Sequence, residues 1–127
     1  AKLEQLSYSM YLNNRTTEPW KGTAITTYAY VKHYGLNQIR LKSEKTIQQG
    51  GWHFSNMGGI EEIRRKLQSY DHQEVNTEET HAKLEERFNT KKDFLGRDYT
   101  TFINESQLPQ YITENKEKYK HLIWQGN

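Results

Sequence analysis

The stretch Gly50-Gly51-Trp52-His53-Phe54-Ser55-Asn56-Met57-Gly58-Gly59 decides how this chain is read, and it leads directly into an amphipathic run over residues 60–70. Two glycine pairs bracket a Trp-His-Phe-Ser core. Paired glycines let the backbone enter positive φ and approach another group closely, so the rings between them can be aimed at a specific partner. In the run that follows, Ile60, Ile63, Leu67 and Tyr70 recur at three- and four-residue spacing, while Glu61, Glu62, Arg64, Arg65 and Lys66 take the opposite face. That period predicts a helix with one buried stripe. Its early acids and later bases complement the helix dipole.

Working outward, Leu6, Tyr8, Met10 and Leu12 alternate with Ser7, Ser9 and Tyr11, which is the period of a half-buried strand. Residues 13–20 are polar, contain Pro19 and read as a loop, with Gly22 letting the chain turn after it. Residues 23–34 read as a strand giving way to a short helix ended by Gly35. A helical turn over 36–41 and an extended segment over 45–49 then carry the chain to the double-glycine stretch. On the far side, the polar cluster 69–74 ends the central helix, and Asn76 with Glu79 has capping-box spacing for a next helix. Ala82, Leu84, Phe88 and His81 form the expected inward face of that helix. Residues 89–96 read as a basic loop and 99–103 as a short strand. Pro109 suits the start of a last helical segment, packed through Tyr111, Ile112, Tyr119, Leu122 and Ile123. The expected fold class is α+β, several helices with a few short strands, residues 1–127 forming one domain or a fragment of one.

The composition narrows the function. Hydrophobic residues make up only 33 % of the 127 but aromatics reach 13 %, so core-building falls on rings that keep a polar tip. Tyrosine-rich surfaces also suit sugars. A net charge of +2 is too small to require a nucleic acid or an anionic membrane as partner. The absence of cysteine excludes disulfides and thiolate metal sites and agrees with a reducing compartment. No apolar run approaches the roughly 20 residues that span a bilayer, and no charged-then-apolar leader opens the sequence. The expectation is a cytoplasmic protein with no membrane segment in this chain.

The run GGWHFSNMGGIEEIRRKLQSYDHQE, from Gly50 to Glu74, resembles the signature of glycosyltransferase family 17, the family of the bisecting β-1,4-N-acetylglucosaminyltransferase. Trp20-Lys21-Gly22-Thr23 and Asn37-Gln38-Ile39-Arg40 resemble the W-x-G and LR elements of that family, and Gly96-Arg97-Asp98 with the ending from Pro109 to Ile123 resembles its C-terminal part. The resemblance covers nearly the whole chain. It implies a GT-A-like glycosyltransferase that transfers N-acetylglucosamine or a related sugar, with inversion, from a UDP-sugar donor to the hydroxyl of a carbohydrate acceptor. It also implies a divalent cation, Mn²⁺, held against the donor diphosphate by an Asp-x-Asp element. That element is missing here, because the aspartates are Asp71, Asp93 and Asp98. The resemblance therefore implies the C-terminal part of the catalytic domain, whose partner is the N-terminal half of the same enzyme and whose cation requires that half.

Site residues follow from the resemblance and from side-chain chemistry together. His53 is the candidate metal ligand, since neutral imidazole suits a mixed nitrogen and oxygen shell; the alternative is a histidine hydrogen-bonded in the core. Trp52 offers a flat face for a sugar or for core packing. Inverting transfer needs a base at the acceptor hydroxyl, and Glu74 stands ahead of Asp71 as that base or as an acceptor-orienting carboxylate; both can equally be solvated acids. His72 can touch the diphosphate, orient Glu74, or simply favour a helix C-terminus. Arg40 and Arg97 are the donor- or acceptor-binding cations, whereas Arg64 and Arg65 read as surface partners of Glu61 and Glu62. Trp20 with Gly22 suits a wall of the acceptor cleft. A carbohydrate-binding module without catalysis is the alternative function, and a nucleic-acid binder is disfavoured by the modest charge.

Overall fold

The computed structural model describes residues 1–42 and 45–126. It is α+β, with strands β1 (Lys2–Ser9), β2 (Asn14–Thr16), β3 (Trp20–Ala24), β4 (Thr46–Ile47), β5 (Trp52–Ser55) and β6 (Thr101–Ile103). The helices are α1 (Tyr28–Tyr34), α2 (Leu36–Lys42), α3 (Ile60–Ser69), α4 (Glu78–Ala82), α5 (Leu84–Asn89) and α6 (Gln110–Glu114). None of the described helices is long and apolar enough to cross a membrane. The chain separates into two compact units, Ala1–Ser7 with Glu18–His53 and Tyr8–Thr17 with Phe54–Asn127.

In the first unit, Lys2 and Leu3 of β1 pair antiparallel with Ala24 and Thr23 of β3 and parallel with Thr46 and Ile47 of β4. The segment leading into β5 approaches closely. The Gly50 N–H donates to the Glu4 carbonyl at 2.8 Å, and a Cβ on Gly50 would lie 2.8 Å from the Leu3 Cβ, so a larger residue would push the backbones apart. Thr27 caps α1 by accepting from the Tyr30 N–H, and Gly35, at φ 76°, ends it by donating to the Val31 carbonyl. The helix and the Gly35 stop fall where the sequence places them, whereas the strand expected from residue 23 onward lies earlier, at Trp20–Ala24.

The second unit packs Met10, Ile63, Leu67, Leu84 and Phe94 into its core, with Tyr11, Ile60, Val75, Phe88 and Leu95 against it. Helix α3 buries Ile63 and Leu67 and pairs Arg64 with Glu61 and Arg65 with Glu62 on its outer face, as its period predicts. Strand β2 pairs with β1 at Tyr8–Arg15 and with β6 through Asn14–Ile103, Arg15–Phe102 and Thr16–Thr101.

That pairing corrects the expected loop over residues 13–20. Asn14–Thr16 is a strand and Trp20 already opens β3. Ladder hydrogen bonds satisfy the backbone, so polar composition does not keep this segment out of a sheet. The alternation over 6–12 is likewise cut short, because β1 ends at Ser9 and Met10 turns the chain at φ 69°. Ser7 and Ser9 are buried along with Tyr8, so the strand is covered on both faces rather than one.

Three further expectations change. The cap of α4 is Thr77, whose hydroxyl accepts from the Thr80 N–H at 3.2 Å, while the Asn76 side chain bonds His81 and Gln73 instead. The single helix expected after it breaks at Lys83 into α4 and α5, which leaves Ala82 exposed and Leu84 buried. Tyr111 packs only in part: its ring meets Tyr119 edge-on at 6.2 Å between centroids, but it is 57 % exposed, since α6 stops after Glu114 and it is Ile123 that is buried.

Asn13, fully buried, ties this unit's C-terminal segment to the turn after β1. Its Oδ1 accepts from the Trp124 N–H at 2.8 Å, and its Nδ2 donates to the Trp124 carbonyl and to Glu105 Oε1. Asn13→Ala leaves these buried groups unpaired and is expected to lower the unfolding free energy by about 2–3 kcal/mol. Urea titration checks this. An unchanged midpoint would show that the clamp carries no stability.

Candidate functional site

In the first unit, residues from three separated sequence elements meet around one ring. The Trp20 indole lies over Gly22, where a Cβ would stand 2.2 Å from the indole Cζ2. The W-x-G spacing is therefore a packing requirement: only a hydrogen leaves room for the ring. His53 of β5 stacks on the same indole, with centroids 4.2 Å apart and planes 10° from parallel. The Arg40 guanidinium, on α2, lies 5.9 Å from the Trp20 ring centroid. The result is a wall with one basic imidazole and one permanent cation beside an aromatic face.

Trp52 precedes His53 on β5 and is 44 % exposed, its carbonyl accepting from Gln5 Nε2. Successive strand residues point to opposite faces, so Trp52 and His53 serve different surfaces. A cavity of about 1170 Å³ in this unit is lined by Ile25, Tyr30, Ile39, Leu41, Lys42 and Lys45 among others, and the described residues of its lining include none of the expected site residues. Among the described residues, no group of three or more His, Cys, Asp and Glu is placed to hold a metal ion.

The second unit holds Asp71, His72, Glu74 and Arg97. Asp71 is exposed just beyond α3. Glu74 lies in a 3₁₀ turn, Gln73–Val75, where its carboxylate meets His72 Nδ1 at 2.8 Å. Its own backbone N–H, and then His72, hold the Glu74 carboxyl below the usual carboxylate range. A base works best with its pKa near the working pH, so this environment suits an orienting carboxylate better than a proton acceptor.

Arg97 is held by a residue that the sequence reading passed over. Asp93 is 1 % exposed and accepts from Arg97 Nε and Nη2, from the Arg97 backbone N–H and from the Tyr99 hydroxyl. Burial pushes its carboxyl up, but the Arg97 hydrogen bonds and charge, helped by Tyr99, outweigh that and hold it below its ordinary value. The available signal was Asp93 four residues before Arg97 across Gly96, a local spacing that a charge census does not separate from surface pairs. Lys66 was missed for a similar reason. It sits on the polar side of α3, yet its Nζ donates to Asn56 Oδ1 at 2.7 Å.

Two outcomes are expected. Gly22→Ala forces the Trp20 ring off its seat and costs about 1–3 kcal/mol; His53 ring-proton shifts in NMR should move as the indole's ring current is removed, and unchanged shifts would contradict the stack. Asp93 is ionised in the folded chain at a pH below its unfolded value of about 3.9. Its contribution is therefore complete above that value and lost as pH falls through the lower folded one. Asp93→Asn should cost about 1–3 kcal/mol near neutral pH and flatten the acid loss of stability, read by urea unfolding at neutral and acid pH.

Compared with known proteins, this chain finds no matching family model, no matching curated protein and no matching solved structure.

Proposed function

We propose that this chain is the C-terminal, acceptor-side part of an inverting glycosyltransferase resembling family 17, which transfers N-acetylglucosamine or a related sugar from a UDP-sugar to a glycan hydroxyl. The observation that carries this reading is the meeting of Trp20, Arg40 and His53, since the three come from the three separate elements that resemble the family. In this reading the N-terminal half of the same enzyme brings the Asp-x-Asp carboxylates. Mn²⁺, when bound, would neutralise charge on the departing diphosphate.

The chain's own residues then divide the remaining work. His53, its ring plane set by the Trp20 stack, would supply one nitrogen toward the cation. Arg40 adds positive charge beside that wall. Glu74, oriented by His72, binds and aligns an acceptor hydroxyl. Asp71, exposed near the same turn, is the alternative carboxylate for taking the acceptor proton. Trp52, the exposed ring on β5, offers a face to the apolar side of a sugar. That same exposure favours a second reading, a carbohydrate-binding module that retains sugar contacts without transfer.

Calorimetric titration of the chain with UDP-N-acetylglucosamine and Mn²⁺, and separately with N-glycan oligosaccharides, tests both. The transferase reading expects glycan binding that Trp52→Ala weakens and, once the N-terminal half is supplied, metal-dependent nucleotide binding that His53→Ala weakens by about tenfold or more. Glycan binding alone, indifferent to metal, would favour the module. A folded chain that takes up no glycan, and no nucleotide with the N-terminal half supplied, would remove both readings.

A further inference from the structure

The cavity of about 1170 Å³ in the first unit has no role in the chemistry described so far. Its lining draws on Ile25 just past β3, Tyr30 of α1, Ile39, Leu41 and Lys42 of α2, and Lys45 just before β4. Ile39 is buried, yet Ile25 is 57 % and Leu41 73 % exposed. Covering aliphatic groups that stand in water around a concavity releases that water and favours an apolar ligand. The volume exceeds the roughly 300–1000 Å³ of ordinary small-molecule clefts, which leaves room for a flexible chain.

The backbone that borders this lining is largely engaged. The Ala1 ammonium donates to the Ile25 carbonyl at 2.9 Å, and the Ile25 N–H donates to the Ala1 carbonyl at 2.8 Å. The Lys45 carbonyl accepts from the Lys2 N–H, and the Thr27 hydroxyl accepts from the Tyr30 N–H. Recognition of a peptide by strand addition is therefore disfavoured here.

Charge comes from lysine. Lys42 and Lys45 are exposed and line the cavity, and among the described lining residues there is no carboxylate and no arginine. No hydrogen bond or ion pair among the described residues engages the Lys42 ammonium. A lysine lays its stem along apolar surface and keeps its ammonium at the water boundary. The lining is thus complementary to a hydrocarbon body with one anionic head. A point charge without a guanidinium fork beside it suits a carboxylate better than a phosphate. A concave site also suits a single amphiphile, whereas a flat bilayer reaches only its edge.

We propose that this cavity binds a long-chain fatty carboxylate, its hydrocarbon chain against Ile25, Ile39 and Leu41 and its head at Lys42. The site goes beyond the transferase reading and requires no nucleotide, glycan or metal.

The test is calorimetric titration of the folded chain in EDTA with octanoate, decanoate and dodecanoate below their micelle concentrations, and with decanol and decyltrimethylammonium. Saturable binding is expected that tightens with chain length by up to about fourfold per methylene. Decanol should bind more weakly than decanoate, and the cationic amphiphile most weakly. Lys42→Met keeps an unbranched apolar stem at an exposed position and should weaken decanoate about tenfold while leaving decanol unchanged. Leu41→Gln, also at an exposed position, should weaken every chain length with the circular dichroism unaltered. Affinity that ignores chain length, decanoate binding that Lys42→Met leaves intact, or equally tight decyltrimethylammonium binding would overturn the proposal. Absence of binding by the monomeric carboxylates also overturns it; association with phosphatidylglycerol vesicles, or self-association in sedimentation, would then assign the apolar surface to a membrane or to a second copy of the chain. No probe is a nucleotide or a glycan, so failure here is separate from failure of the transferase reading.

Discussion

The second unit depends on one constraint, the obligation to hydrogen-bond a buried polar turn. Tyr8, Ser9, Met10, Leu12, Asn13, Asn14 and Thr16 are all buried, and several of them carry polar side chains in addition to the backbone. Burying such groups unpaired would cost more than the apolar contacts return. The partners come from far along the chain. The Met10 N–H donates to Ser55, the Leu12 N–H to Leu122, and the Asn104 N–H to the Asn13 carbonyl. Asn13 adds its side-chain bonds to Trp124 and Glu105. Each of these bonds closes a long loop, so the sheet, the segment after β6 and the C-terminal turns are held by one polar centre.

The first unit solves a different problem, close approach. Trp20 can cover Gly22, and the segment leading into β5 can approach Leu3 at Gly50, only because neither glycine carries a Cβ. The stack of Trp20 and His53 follows from those two approaches. A stacked imidazole is held by its plane while its nitrogens stay on the ring edge, and that is the geometry a ligand-contacting histidine needs. The electrostatics of the second unit are set by the same kind of preorganisation. Exposed Glu74 is tuned by a backbone N–H and one histidine, whereas Asp93 holds its charge in a buried place because Arg97 and Tyr99 surround it.

Some of this was legible in the sequence. The apolar stripe of α3, its outer ion pairs and the stop at Gly35 follow from a 3.6-residue period and from glycine's access to positive φ. The site was legible in part. Trp20, Arg40 and His53 were named separately and do meet, and His72 does reach Glu74 two residues on. Asn14–Thr16 was not legible as strand, because asparagine disfavours strands, the segment is only three residues long, and the pairing with β6 is specified by segments more than eighty residues away. The break at Lys83 and the exposure of Tyr111 were hidden for the same reason: periodicity states which residues can share a face, not which face finds a partner.

What the sequence by itself determined is local: the α+β alternation, the helix periods, the glycines that demand space, and the residue types capable of sugar, metal or phosphate chemistry. These depend on neighbours a few positions apart, and the chain carries that information directly. The tertiary structure alone decided which polar groups are buried, that Asp93 and not an exposed acid holds Arg97, and that Lys66 bonds Asn56 rather than a neighbour on its own helix. Burial and long-range hydrogen bonding set those outcomes, because the charge, hydration and reach of a side chain depend on what the rest of the chain places around it.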